Sequence, residues 1–303
     1  MSLSCSPEIR LETERRFSPI AYVLRCYKLL EIERAYFGSG AFDRTRSTRA
    51  VPVAEHGTRG RAAVLLQVEN LQVTYGRIEA VHQVDLEVRP GEFVGVIGAN
   101  GAGKTSMLRA ITGVKAPVGG SISFEGQSIA RLPSHVIVAR GIAMVPEGRQ
   151  VFADQTVEDN LILGAYVRTG KDDTGVRDDM DYVLGLFPVL HERRQQPAGS
   201  LSGGEQQMLA IARGLLSHPT LLVVDELSLG LAPQILDVLF EVLIDLNTQG
   251  LSILLVDQMA SYTLQVTHRT YVMENGRILM QGDSAMLADD PRVLDAYLGR
   301  HTM

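Results

Sequence analysis

Cysteine is nearly missing from this 303-residue chain: only Cys5 and Cys26 occur, and nothing after them. A disulfide framework therefore does not hold the main body together, which fits a reducing compartment. Long apolar runs are missing too, none approaching the ~18 residues of a membrane-spanning helix. The N-terminus lacks an apolar core followed by a cleavage site, so no signal peptide is read there. Positive charge is scarce where a nucleic acid would need it. Residues 1–62 hold eleven Lys and Arg against seven Asp and Glu, a net of +4, which leaves −10 of the overall −6 on the rest. With no basic stripe interleaved with aromatics, nucleic acid is not an expected partner. No internal repeat is visible. What is present is 45% hydrophobic and 21% charged, enough for one large α/β domain and an extension.

The chain is organised around Gly98-Ala99-Asn100-Gly101-Ala102-Gly103-Lys104-Thr105. An apolar run at 93–97 precedes it, and a helical stretch at 106–112 follows, with Gly113 placed to end it. This is G-x-x-x-x-G-K-[ST] between strand and helix, the context that marks a phosphate cradle. Glycines let backbone N–H groups turn onto a polyphosphate, and the helix N-terminus adds a positive dipole end. Lys104 is expected to reach the β- and γ-phosphates, and the Thr105 hydroxyl to ligate Mg²⁺.

Residues 1–62 read as an extension, Arg-rich and then rich in Ser, Thr, Arg and Gly at 38–60. The spacing at 19–36 would suit an amphipathic helix, although a poorly ordered tail is the plainer expectation. From Leu65 onward signals are dense. Strands are expected at 65–69, 71–75, 84–88, 121–124 and 142–145, and a helix at 133–140. Thr156 and Asp159 stand in near capping-box spacing, predicting a helix over 156–166. Then helices at 205–216 and 233–247 alternate with apolar strands at 221–225 and 252–256, the pattern of a parallel sheet covered on both faces. Asn275-Gly276 predicts a hairpin between 270–274 and 277–281, and short helices at 284–287 and 291–298 close the chain.

Two further stretches carry chemistry. The strand at 221–225 delivers Asp225 and Glu226 at its C-terminal end. Asp225 is placed to hold Mg²⁺, and Glu226 to polarise a water for in-line attack on a γ-phosphate. Leu201-Ser202-Gly203-Gly204-Glu205-Gln206 is the more specific stretch. Ser202 and Glu205 form a capping box, and the two glycines leave that helix end bare for a second anion, as if serving another subunit's nucleotide. Ser202 lies 98 residues after Lys104.

Phosphate loop, Leu-Ser-Gly-Gly-Glu-Gln and the apolar strand ending Asp-Glu together resemble the ATP-binding subunit of ABC transporters, over the 239 residues from Leu65 to the C-terminus. The resemblance implies an α/β P-loop NTPase: a parallel core sheet flanked by helices, an antiparallel β subdomain, and a helical subdomain inserted at about 151–200, all within 63–303. It implies MgATP and a head-to-tail dimer sandwiching two nucleotides. Contacts would come from Tyr75 (stacked on adenine), Gly98, Ala99, Asn100, Gly101, Ala102, Gly103, Lys104, Thr105 and Ser106. Ser202, Gly203, Gly204 and Glu205 would serve the neighbour's nucleotide. Glu226, Gln258 and Lys104 are the expected catalytic residues, and Thr105, Asp225 and Glu147 the expected metal ligands. Ser228-Leu229-Gly230-Leu231 falls on the family's subunit-contact loop.

Glu147 stands where the family usually has Gln, and Gln258 where it has His. A Gln amide can bond a phosphate but cannot titrate. These changes, with 145–149 and 228–233, resemble the LivF-type subunit of branched-chain amino acid importers. Leu227 (customarily Pro) and Asp257 (Glu in that subgroup) depart from the pattern. The implied partners are a second, different ATPase subunit, two permease subunits and, indirectly, a periplasmic binding protein, at the cytoplasmic face of a bacterial inner membrane. A urea or short-amide importer and a non-transport ABC ATPase are the alternatives.

Overall fold

Strand β1 covers Leu66–Tyr75, β2 Ile78–Val88, β3 Phe93–Ile97, β4 Gly119–Phe124 and β5 Gln127–Ser128. Later come β6 (Ile142–Val145), β7 (Leu221–Asp225), β8 (Ser252–Asp257), β9 (Arg269–Glu274) and β10 (Arg277–Asp283). In this computed structural model, which describes residues 64–168 and 173–293, they form two sheets. The extension 1–62 with its expected helix and both cysteines lies outside the described residues, as does most of the expected 291–298 helix. The larger sheet has the order β10-β9-β3-β8-β7-β6, every pairing parallel except that of the edge strand β10. The smaller is antiparallel, β2-β1-β4-β5.

Every residue of β3, β7 and β8 is buried, so successive side chains feed two opposite cores. Val94, Val96, Val223 and Leu254 face one, which helix α1 (Lys104–Ile111) shares with Leu66, Val84 and Leu86 of the smaller sheet. Leu222, Val224, Ile253 and Leu255 face the other. Ahead of that second core, α2 (Ser134–Ala139) leads into β6. Helices α3 (Val157–Gly164), α4 (Asp173–Leu186), α5 (Pro188–Glu192), α6 (Gly203–Leu215) and α7 (Pro233–Thr248) all contribute buried residues to it. Two last helices, α8 (Ala260–Val266) and α9 (Ser284–Ala288), pack with Ile97 and Val272 in a small third cluster. Among the described residues no helix is long and apolar enough to cross a membrane.

The two strands expected at 65–69 and 71–75 are one. Asn70 adopts φ 49 and gives its N–H to Asp85 Oδ1 at 2.6 Å, so the residue that reads as a break is a bulge. Strand β2 likewise starts at Ile78, ahead of the expected 84–88, because Gln83 at φ 51 interrupts its alternation. Helix α8 was not expected; it has no side-chain cap for a reader to find. The capping boxes at Thr156 and Ser202 are both formed.

Candidate functional site

Loop 98–103 runs from the end of β3 to the start of α1, and its shape is set by its neighbours. A Cβ on Gly98 would stand 2.3 Å from the Met273 carbonyl oxygen, and one on Gly103, at φ 102, 2.4 Å from that of Ala80. Backbone cannot yield as a side chain can, so both positions require glycine. Lys104 opens α1 with only 4% exposure. Its Nζ donates to the carbonyls of Gly98 (2.7 Å) and Ala99 (3.2 Å) and pairs with Glu226 Oε1 at 3.1 Å. Ala99, Asn100 and Gly101 are exposed, and Ser106 is half-buried in the first turn of the helix.

The parallel pairing of β3, β8 and β7 brings the acids beneath this loop. Thr105 Oγ1 donates to Asp225 Oδ1 at 3.3 Å, while Asp225 Oδ2 is buried with no partner. Burial pushes the Asp225 carboxyl up to about 6, with the charges of Glu226 and Glu147 in the same sense and the Thr105 bond and Lys104 against. Burial also raises Glu226, opposed by Lys104. Three acids gathered around one lysine leave the site short of positive charge. Among the described residues no three His, Cys, Asp or Glu converge to hold a metal unaided. A hydroxyl and a carboxylate with an unpartnered oxygen instead suit a hard divalent cation that takes its other oxygens from phosphate and water.

Helix α6 presents a different end. Ser202 Oγ accepts the Glu205 N–H at 3.4 Å, and Glu205 Oε2 accepts the Ser202 N–H at 2.8 Å and pairs with Arg193 at 3.1 Å. Ser202 is exposed, Gly203 half-buried and Gly204 buried. Among the described residues no hydrogen bond or ion pair joins 202–205 to loop 98–106. The structure thus gathers Lys104, Thr105, Asp225 and Glu226, with Glu147 exposed nearby, and keeps the helix end apart. Tyr75 ends β1 at 38% exposure, with Lys115 Nζ 5.0 Å from its ring centroid. Gln258 is exposed just past β8.

Residues 81–228 match the sequence profile described as ABC transporter. The high-affinity branched-chain amino acid transport ATP-binding protein BraG of Pseudomonas aeruginosa is 49% identical over 78% of this chain and 100% of its own length. The chain belongs to the ABC transporter ATP-binding family. A probable branched-chain amino acid transport ATP-binding protein LivF, from Archaeoglobus fulgidus, is 33% identical over 78% of the chain and 99% of that protein. Among solved structures, the ADP conformation of the ABC transporter cassette MJ1267 superposes with a TM-score of 0.69 at 26% identity, covering 78% of this chain and 99% of that one. The chain is accordingly a nucleotide-binding ATPase of the ABC type.

Two residues of this ABC cassette escaped the sequence reading. The Arg149 guanidinium rests against Gly203, where a Cβ would come 2.9 Å from its terminal nitrogen. Asp257, read only as a departure from its subgroup, is wholly buried and accepts three hydrogen bonds. A usable signal was there: an acid ending the otherwise apolar run 253–256 must find donors.

Proposed function

We propose that this chain is the ATP-hydrolysing subunit of an importer of branched-chain amino acids, with 63–303 as its ABC domain, 151–200 as the helical insertion and 1–62 as an extension. The observation that carries the catalytic part is the junction of Lys104, Thr105, Asp225 and Glu226; identity to BraG along that protein's whole length supports the solute. Loop 98–103 cradles the phosphates, and Tyr75 offers its half-open ring to the base. Thr105 and Asp225 would hold Mg²⁺, with Glu147, whose charge acts on Asp225, as a further ligand, and the bound ion would neutralise phosphate charge.

Lys104 is held by Glu226 and two carbonyls. A γ-phosphate competes for that ammonium, and Lys104 turning to it releases Glu226. The freed carboxylate, its basicity raised by burial, accepts a proton from the attacking water as the water oxygen bonds phosphorus and ADP leaves. Gln258 contributes an amide to the γ-phosphate. Ser202–Glu205 meets the nucleotide of a second, different ATPase subunit, and closure drives two permeases fed by a periplasmic binding protein at the cytoplasmic face of the inner membrane.

The test uses the complex assembled with its partners. Glu226→Gln is expected to lower kcat by about a thousand-fold with ATP binding retained. ATPase stimulation by binding protein loaded with leucine or valine, and none with urea or a short amide, checks the solute.

A further inference from the structure

Strand β8 ends in Asp257, an acid of 0% exposure that no step above uses. A carboxylate there needs its lone pairs filled. Its Oδ2 accepts the Ser228 N–H at 3.0 Å, and its Oδ1 accepts the Ser228 hydroxyl at 2.5 Å and the Met259 N–H at 2.9 Å. Ser228 lies two residues beyond Glu226, in the loop that carries exposed Leu229. Met259 follows Gln258, and its bond back to Asp257 closes a side-chain turn that leaves Gln258 facing outward. One buried carboxylate therefore ties the loop bearing the base to the turn bearing Gln258.

The tie matters because Glu226 sits at φ 50. A non-glycine residue in the left-handed region persists only where its surroundings over-determine it. On one side the Glu226 N–H is held by the Val256 carbonyl at 2.8 Å; on the other, Ser228 is held by Asp257. Val256 and Asp257 are consecutive, so the end of β8 grips the base from both directions.

We propose that Asp257 is a positioning residue for hydrolysis: by holding Ser228 and the 257–259 turn on one carboxylate, it sets Glu226 against Gln258 and makes the partner-facing loop move with them. This rests on the reading of Glu226 as base and Gln258 as phosphate contact. Asn is the discriminating replacement, because its shape is the same while its NH₂ must face a donor on one side or the other, so one half of the tie opens.

The experiment measures steady-state ATPase and thermal melting of the assembled complex carrying Asp257→Asn, Ser228→Ala, both together, or Glu226→Gln. Asp257→Asn is expected to lower kcat by about ten-fold or more with KM for ATP held within about two-fold, and Ser228→Ala by about three-fold. The double variant should fall no further than Asp257→Asn, since both break one unit. Asp257→Asn and Ser228→Ala at wild-type kcat beside an inactive Glu226→Gln would overturn the assignment and leave the base in place. Losses that multiply in the double variant, or a KM that rises in step, overturn it as well. An active Glu226→Gln removes the underlying reading and the proposal with it. If Asp257→Asn does not fold, Ser228→Ala decides alone by the same split of kcat from KM.

Discussion

The two helix ends proposed to bind anions are built in opposite ways. At α1, the phosphate loop is wedged between the backbone of β2 and β9, and its lysine is already bonded three times inside the chain. At α6, the cap is closed by Ser202 and Glu205, and the atoms nearest to a Cβ on half-buried Gly203 are the end of a flexible arginine. The first is a half-site completed by contacts within one chain. The second is an exposed cap whose proposed role depends on a partner. On the proposed reading, a glycine that packing requires at one end corresponds to a glycine that a partner requires at the other.

The largest expected effect sets those glycines against each other. Gly98→Ala drives a methyl to 2.3 Å from the Met273 carbonyl, which belongs to a sheet strand and cannot step aside. A loss of about 3 kcal/mol in stability and of ATP binding together is expected, read by chemical denaturation and nucleotide titration. Gly203→Ala meets the Arg149 guanidinium, which can swing away. Its stability should stay within about 0.5 kcal/mol of wild type and ATP binding should survive, while partner-dependent hydrolysis falls. Equal destabilisation by the two would erase the distinction.

Next in size is Asp225. Its carboxyl is pushed up to about 6 from 3.8, so the folded protein disfavours the ionised form. The penalty is absent below the lower value, grows as pH rises between the two, and is complete above the higher one. Without nucleotide or metal at neutral pH, Asp225→Asn should therefore be more stable than wild type by about 2 kcal/mol, and the advantage should shrink to nothing near pH 4. Melting curves against pH give the answer, and a flat difference would mean that the phosphate half is not strained by its own charge.

Much of this was legible beforehand for a simple reason. Loop 98–105, the capping boxes and the apolar runs of β3, β7 and β8 are contiguous, so spacing alone carries their meaning. What stayed hidden is non-local. Ser228 meets Asp257 across 29 residues, and Arg149 meets Gly203 between separate elements. Neither contact leaves a periodic trace. The pairing of Lys104 with Glu226, 122 residues later in the chain, is likewise a property of the folded arrangement. The bulge at Asn70 misled for the opposite reason: a local turn former was read as a break when a carboxylate from the neighbouring strand had absorbed it.

The smallest effect tests whether the α6 end stands by itself. Ser202→Ala removes the oxygen that takes the Glu205 N–H, but at 3.4 Å that bond is already long. The other half of the box survives, because Glu205 Oε2 still holds the Ser202 N–H at 2.8 Å and Arg193 at 3.1 Å. Loss of an N-cap side chain commonly costs about 1 kcal/mol; with half the box intact about 0.5 kcal/mol is expected, a fall in Tm of about 2 °C. If the Ser202 hydroxyl matters mainly to the partner's nucleotide, hydrolysis in the assembled complex should fall far more than that small loss can explain. A larger stability cost with unchanged hydrolysis would make the hydroxyl an ordinary cap, and would leave the glycines as the part of this helix end that another subunit reads.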